Sequence, residues 1–230
     1  MSKGLLGLAL SGLAFLAFPA FSSAAPITGT LLPPGATITS APSTTFAALA
    51  ANNGAVLVTN ISGTFVTPGG ETGTYFEQVL RESGGTLDFA ISVSNTSSGS
   101  NTSAFKTVST LPFDGFQTSI LYDSSVSDGA LGSLLPLADT RDPGSGQTVA
   151  FDFNGTSGGL IAPGTGTQLL IIQTNATLLR PGVIAVIDGG SVNLLGFAPT
   201  AIPLPSAAWG GLALLGMLFS WQYVRRSALA

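Results

Sequence analysis

Residues 86–94, Thr86-Leu87-Asp88-Phe89-Ala90-Ile91-Ser92-Val93-Ser94, decide the fold class of this chain. Large apolar side chains occupy positions 87, 89, 91 and 93, and Asp88, Ser92 and Ser94 stand between them. Because successive side chains of a strand point to opposite faces, this alternation predicts a half-buried β-strand.

Eight further runs alternate in the same way, at 56–66, 74–81, 104–111, 116–122, 148–153, 168–174, 183–188 and 192–197. Clusters of glycine, proline, serine and aspartate separate them, and no convincing amphipathic helix is present. About nine strands spaced roughly ten residues apart predict an all-β fold, a single antiparallel β-sandwich. A closed barrel is the competing all-β architecture.

The end of the chain has three parts in a fixed order. A proline-bearing motif runs from Ile202 to Trp209, an uncharged stretch covers the 18 residues 207–224, and Arg225-Arg226 follow. A membrane helix needs about 20 apolar residues, and positive residues remain on the cytoplasmic side. The sequence therefore predicts a C-terminal transmembrane helix over 207–224 with the body outside. The alternative is a buried C-terminal helix of a soluble domain.

The beginning of the chain has the pattern of a secretory signal peptide. Lys3 precedes an apolar core that ends near Phe18, and small residues follow at Ser22, Ser23, Ala24 and Ala25. A basic start, an apolar core and small residues before the cleavage site are typical of such peptides. We expect a signal-peptide helix over 1–24, cleaved after Ala24 rather than after Ala25. An uncleaved N-terminal anchor is the alternative.

The exported part is acidic and lacks the residues of several common active sites. It carries four cations against the chain's 11 acidic residues, a net charge of −7, which argues against nucleic acid as a partner. The chain contains no cysteine and no histidine. This excludes disulfides, Ser-His-Asp and Cys-His catalysis, and zinc sites of the usual type.

These observations predict four regions: a signal peptide at 1–24, an extended leader with one short helical turn at 25–54, a β-sandwich domain at 55–200, and a sorting signal at 202–226. Proline disfavours helix in the residue before it, so Pro203 and Pro205 keep the motif extended ahead of the span. Such a segment is accessible to a processing enzyme, although the same geometry suits a simple anchor hinge.

The order of these parts resembles the PEP-CTERM class of bacterial exported proteins, and specifically the variant whose motif begins Val-Pro-Leu-Pro-Ala. Here Ile202 replaces Val and Ser206 replaces Ala, within the motif Ile202, Pro203, Leu204, Pro205, Ser206, Ala207, Ala208 and Trp209. The resemblance covers only about the last 30 residues and implies that an exosortase, a membrane-embedded transpeptidase-like enzyme, recognises the tail. It also implies a Gram-negative host that makes exopolysaccharide, and a destination at the cell surface or in the extracellular matrix.

Two groups of acidic residues are candidates for a calcium site and for a catalytic carboxyl pair. Calcium binds six to eight oxygen ligands, so loop carboxylates are candidates, although their spacing matches no known calcium loop. These calcium candidates are Asp123, Asp128, Asp139, Asp142 and Asp152. A glycosidase needs two converging carboxyl groups, for which the candidates are Glu71, Glu77 and Glu82.

We therefore expect a non-enzymatic surface or matrix protein without a cofactor, whose partners are the membrane and an exosortase-type enzyme. The first alternative is a carbohydrate-binding module that acts on exopolysaccharide. The second is a secreted hydrolase that uses a carboxylate pair.

Overall fold

The computed structural model describes residues 29–98, 103–154 and 159–201, together with Leu214, Leu215 and Met217. Within them, none of the helices has the length and apolar character that a membrane crossing requires. The predicted signal peptide and nearly all of the predicted span lie outside the described residues.

The described residues form thirteen strands, one α-helix and one 3-10 turn. The elements are β1 (Thr30–Leu31), β2 (Thr37–Ile38), β3 (Ser43–Thr44), α1 (Phe46–Asn53), β4 (Val56–Val66), β5 (Thr72–Arg81), β6 (Leu87–Asn95), β7 (Thr107–Leu111), β8 (Thr118–Asp123), the 3-10 turn Val126–Asp128, β9 (Ala138–Arg141), β10 (Val149–Asp152), β11 (Leu169–Thr174), β12 (Leu178–Ile187) and β13 (Ser191–Thr200).

The strands form two sheets. Sheet 1 has the order β1-β8-β11-β6-β5-β4, with β3 also paired to β8, and sheet 2 has the order β13-β12-β7-β10-β9-β2. Neighbouring strands are antiparallel except for β3 and β8. Buried side chains from both sheets form one core between them, among them Phe89 and Ile91 of sheet 1 and Phe151 and Ile184 of sheet 2. The all-β class and the antiparallel sheets are confirmed.

The nine predicted strands are all present, and β4 has the predicted bounds. The predicted number was too low, because β1, β2, β3 and β9 are only two to four residues long. A strand of that length shows no period-two pattern, so pairing with a neighbouring strand defines it instead. β1, β2 and β3 belong to the predicted leader, whose Leu32 lies fully buried in the core.

The helix α1 begins and ends with ordinary capping groups. Thr45 accepts a hydrogen bond from the backbone N–H of Ala48 at 3.1 Å, and the helix ends at Gly54 with φ at 65°. A side-chain acceptor at the start and a left-handed glycine at the end are the usual helix boundaries. The short helical turn predicted within the leader is therefore present as an eight-residue helix.

The central strand β6 is buried on both faces, so the prediction that it is half-buried was wrong. Leu87, Phe89, Ile91 and Val93 face the core between the sheets, as predicted. Asp88 and Ser92, on the opposite face, are also fully buried. Leu49 of α1 and Ala130 pack with Ala90 in a second apolar cluster, which covers this outer face of sheet 1.

Candidate functional site

A single residue, Ala201, separates the last strand from the predicted sorting motif. β13 runs to Thr200, and Ala201 is the last residue described before the motif. The motif Ile202–Trp209, the basic pair Arg225 and Arg226, and the cleavage-site residues Ser22, Ala24 and Ala25 lie outside the described residues. Their roles stay predictions.

The calcium candidates occupy separate places. Asp123 and Asp128 lie together at the start of α1, where one carboxylate oxygen of each accepts a hydrogen bond from the backbone N–H of Phe46, at 3.0 and 3.2 Å. Asp142 lies in the β9–β10 turn with Ser145, and Asp152 accepts from the backbone N–H of Asn154. In the part of the chain that is described, no three acidic side chains are placed to hold a metal ion.

The three glutamate candidates do not share a site, because each has its own partners. Glu71 lies in the β4–β5 turn, where the Thr67 hydroxyl and Asp188 lower its pKa to about 2. Glu77 points into the core between the sheets, and Glu82 lies beyond the end of β5. These glutamates therefore provide no pair of converging catalytic groups.

Glu77 joins the two sheets along one flank of the sandwich. It belongs to β5 of sheet 1, and its Oε2 accepts a hydrogen bond of 2.8 Å from the backbone N–H of Phe197 in β13 of sheet 2. Its Oε1 is buried without a partner. Burial disfavours the charged form of a carboxyl group and raises the pKa of Glu77 to about 8. Glu77 is therefore a neutral acid at pH 7.

Asp139 joins the sheets along the opposite flank. It belongs to β9 of sheet 2, and its Oδ2 accepts a hydrogen bond from the hydroxyl of Tyr122 in β8 of sheet 1. Burial raises the pKa of Asp139 to about 7, and the bond from Tyr122 opposes that rise. Burial, together with Asp139, raises the pKa of Tyr122 above its ordinary value. One buried acid on each flank therefore connects the layers.

A third buried acid belongs to a polar cluster on the outer face of sheet 1. Asp88, Gln173 and Ser119 lie directly opposite one another on three adjacent strands. Glu82 accepts hydrogen bonds from the side-chain amides of Gln173, at 3.0 Å, and Asn53, at 2.7 Å. Asp88 lies beside Glu82 and Gln173, and burial, reinforced by Glu82, raises its pKa well above the ordinary value.

Asp88 and Glu82 are neighbouring carboxyl groups, so they can be compared with the geometry that glycoside hydrolysis needs. Glycoside hydrolysis by two carboxyl groups needs one on each side of a substrate bond, with access for that substrate. Here Asp88 is fully buried and Glu82 is 4% exposed. Glu82 binds the polar side chains of Asn53 and Gln173, and neither carboxyl group of the pair is accessible to a substrate.

Three clefts on the surface of the described residues stand out, and none of these three has an acidic residue in its lining. A cleft of about 440 Å³ lies over β4 and β5 beside residues 126–131. Clefts of about 210 and 190 Å³ lie beside Arg141 and beside α1. The largest is lined by Ser62, Gly63, Thr64, Thr74, Tyr75, Phe76, Val126, Gly129, Ala130 and Leu131.

Comparison with known proteins found no match to this chain among protein families, curated proteins or solved structures. The functional assignment therefore depends on the residues themselves.

Sequence reasoning missed the buried acids, although one of them left a visible trace. Glu77 has the same strand phase as Tyr75 and Val79, which both face the core. A carboxyl group in phase with two core residues indicates either a buried acid or an irregular strand. Asp88 and Asp139 left no comparable trace, because residues distant in the sequence cover them.

Proposed function

We propose that this protein is a non-enzymatic, exported protein of the cell surface or extracellular matrix, sorted through its C-terminal tail by an exosortase-type enzyme. The observation that carries the proposal is the junction at Ala201. The last strand of the folded part, β13, ends at Thr200, and the proline-bearing motif starts at Ile202. The motif therefore follows the fold directly, with only Ala201 between them.

The chemistry of the body supports a structural role. Asp88 and Glu82, which lie beside each other, are both buried, and the three clefts described above contain no acid in their linings. Catalysis by general acid and base requires titratable groups within hydrogen-bond reach of a substrate. A β-sandwich that carries a sorting tail and buries the Asp88 and Glu82 carboxyl groups suits attachment to a surface or matrix better than turnover.

Processing of the tail can be tested by mass spectrometry of the mature C-terminus in the native host. We expect most mature molecules to lack the residues after the motif. The double variant Pro203→Ala, Pro205→Ala should accumulate as a full-length membrane precursor, because the segment is then free to become helical. The matched control Pro163→Ala, in a turn of the body, should be processed like the wild type. An intact Ala230 on most wild-type molecules would rule out processing and leave a plain anchor.

Carbohydrate binding is the second candidate, and the 440 Å³ cleft favours it. Ser62, Thr64 and Thr74 line this cleft together with Phe76, and the Thr74 hydroxyl is hydrogen-bonded to that of Ser94. Hydroxyls and an aromatic ring are groups that sugars contact, although Gly129 lies close against the Phe76 ring. If this cleft binds the host exopolysaccharide, the full chain in detergent should be retained on that polysaccharide. Retention should then fall several-fold in Thr64→Leu and be unchanged in Leu195→Ser. Failure to bind any polysaccharide would exclude this function.

A further inference from the structure

The two flanks of the sandwich end in very different strands. On one flank the outermost strands are β1, β2 and β3, each two residues long. On the other flank the outermost strands are β4, with 11 residues, and β13, with 10. Proteins commonly protect sheet edges with very short strands, because a long edge exposes unpaired N–H and C=O groups. Within the part of the chain that the structure describes, only one flank has that protection.

Of the two long edges, β4 is the open one. β13 is tied to sheet 1 through the hydrogen bond from the Phe197 N–H to Glu77. Within the described residues, β4 pairs with β5 and with no other strand. Its sequence, Val-Leu-Val-Thr-Asn-Ile-Ser-Gly-Thr-Phe-Val, contains no charge and no proline. It therefore lacks the charged residues that prevent one edge from pairing with another.

We infer that β4 pairs edge to edge with β4 of a second copy of this chain, antiparallel, with Ser62 at the twofold axis. A register shift between Leu57 and Thr59 makes Val58 the extra residue of a bulge. Regular pairing is therefore available from Thr59 onward. In an antiparallel pair, directly opposite residues share a face, so a twofold axis at one residue keeps both cores on the same side.

This register makes the strand complementary to itself, which a twofold interface requires. Asn60 lies opposite Thr64, so polar side chains meet on the exposed face. Ile61 lies opposite Gly63 on the core-facing side, where the Tyr75 ring covers Gly63. Val58 and Val66, 41% and 60% exposed in the single chain, flank the regularly paired segment 59–65. A second copy therefore satisfies the backbone groups of that segment.

The pairing is expected to be weak in dilute solution. A single strand pair buries less than the roughly 1,200 Å² of a stable interface, and the acidic body opposes association. Anchoring on one membrane raises the effective concentration and favours the pair. The inference does not require tail processing, so the two proposals can fail separately.

The absence of cysteine from the chain allows the register to be tested directly. In the full chain in detergent micelles, Ser62→Cys should form a disulfide-linked dimer under mild oxidation. Asn60→Cys and Thr64→Cys should each crosslink slowly alone and rapidly when mixed, because a disulfide needs Cα atoms within about 7 Å. Leu195→Cys, on the highly exposed Leu195 of β13, is the control for random collisions. Crosslinking of Leu195→Cys as fast as Ser62→Cys would overturn the inference.

The introduction of charged residues on β4 provides a second test, whose pattern of results damage to the fold would not reproduce. In the double variant Asn60→Lys, Thr64→Lys, a lysine of one copy lies opposite a lysine of the other at two places in the strand pair. Like charges directly opposite each other on neighbouring strands are destabilising. We expect this variant to lose at least tenfold in association, measured by light scattering across a concentration series. Asn60→Lys with Thr64→Glu places opposite charges together and should restore it. Equal association by both variants would show that β4 is not the interface.

Discussion

Glu77→Gln is expected to make the protein more stable at pH 8, by about 2 kcal/mol or more, while changing stability at pH 5 only slightly. In the folded protein the pKa of Glu77 is about 8, against an ordinary value of 4.5. The folded state therefore holds a proton that the unfolded state has released between these two values. The stability that this proton contributes is complete below pH 4.5 and is lost as the pH rises toward 8.

The glutamine side chain preserves the contact and removes the titration. Its carbonyl oxygen can accept the hydrogen bond from the Phe197 N–H that Glu77 accepts at 2.8 Å. Urea denaturation at pH 5, 6, 7 and 8 measures the effect. The wild type should lose up to about 1.4 kcal/mol per pH unit from this one group, and the variant should lose less. Asp114→Asn, which alters an exposed acid, should follow the wild-type curve. Parallel curves for Glu77→Gln and the wild type would contradict the assignment.

The same sign of pH dependence applies to the other buried acids. Burial raises the pKa of Asp139 to about 7 and that of Asp88 above its ordinary value. Each holds a proton in the folded state that the unfolded chain gives up. The wild-type protein should therefore be more stable in mildly acidic than in mildly alkaline solution.

The alternation around Phe89 was sufficient to predict the core face of sheet 1. Strand periodicity is a local property, so the long strands could be located from the sequence. The short strands could not, because β2, for example, is defined by pairing of Thr37 with Thr140, about a hundred residues away. Contacts of that kind leave no periodic pattern in the sequence.

Burial of polar residues was the other property that local sequence could not predict. Asp88 looks solvent-facing, since its strand alternates regularly, and only the covering of sheet 1 by α1 and the leader makes it buried. The backbone N–H of Gly29, for instance, donates to Gln173 across that face at 3.0 Å. Long-range packing therefore decides which acids are neutral, and these acids determine how stability responds to pH.

Arg141→Lys is expected to destabilise the protein more than any exposed substitution, by about 3 kcal/mol or more. Arg141 is 3% exposed, and its guanidinium group makes five hydrogen bonds to uncharged oxygen atoms. Nε donates to the Gly146 carbonyl at 2.8 Å, and Nη2 donates to the carbonyls of Phe113 and Phe116, also at 2.8 Å. Nη1 donates to the Leu32 carbonyl at 3.2 Å and to the Thr118 hydroxyl at 3.1 Å.

These five acceptors come from four separate segments: the leader, the 112–117 loop, β8 and the β9–β10 turn. Of the five bonds, only the one to Gly146 lies within the turn that follows Arg141. A lysine has three donors on one nitrogen and cannot reproduce the planar fork, so buried carbonyl groups lose their partners. Each buried group left unsatisfied costs about 1–3 kcal/mol.

The urea midpoint of Arg141→Lys at pH 7 measures the loss, with Arg180→Lys as the matched control. Arg180 is exposed on β12, so its replacement should change stability by less than about 0.5 kcal/mol. Equal midpoints for the two variants would show that the hydrogen bonds of Arg141 contribute little. A large loss confined to Arg141→Lys would instead establish that one buried cation holds the leader to the sandwich. In that case the segment that follows the predicted signal peptide is an integral part of the fold.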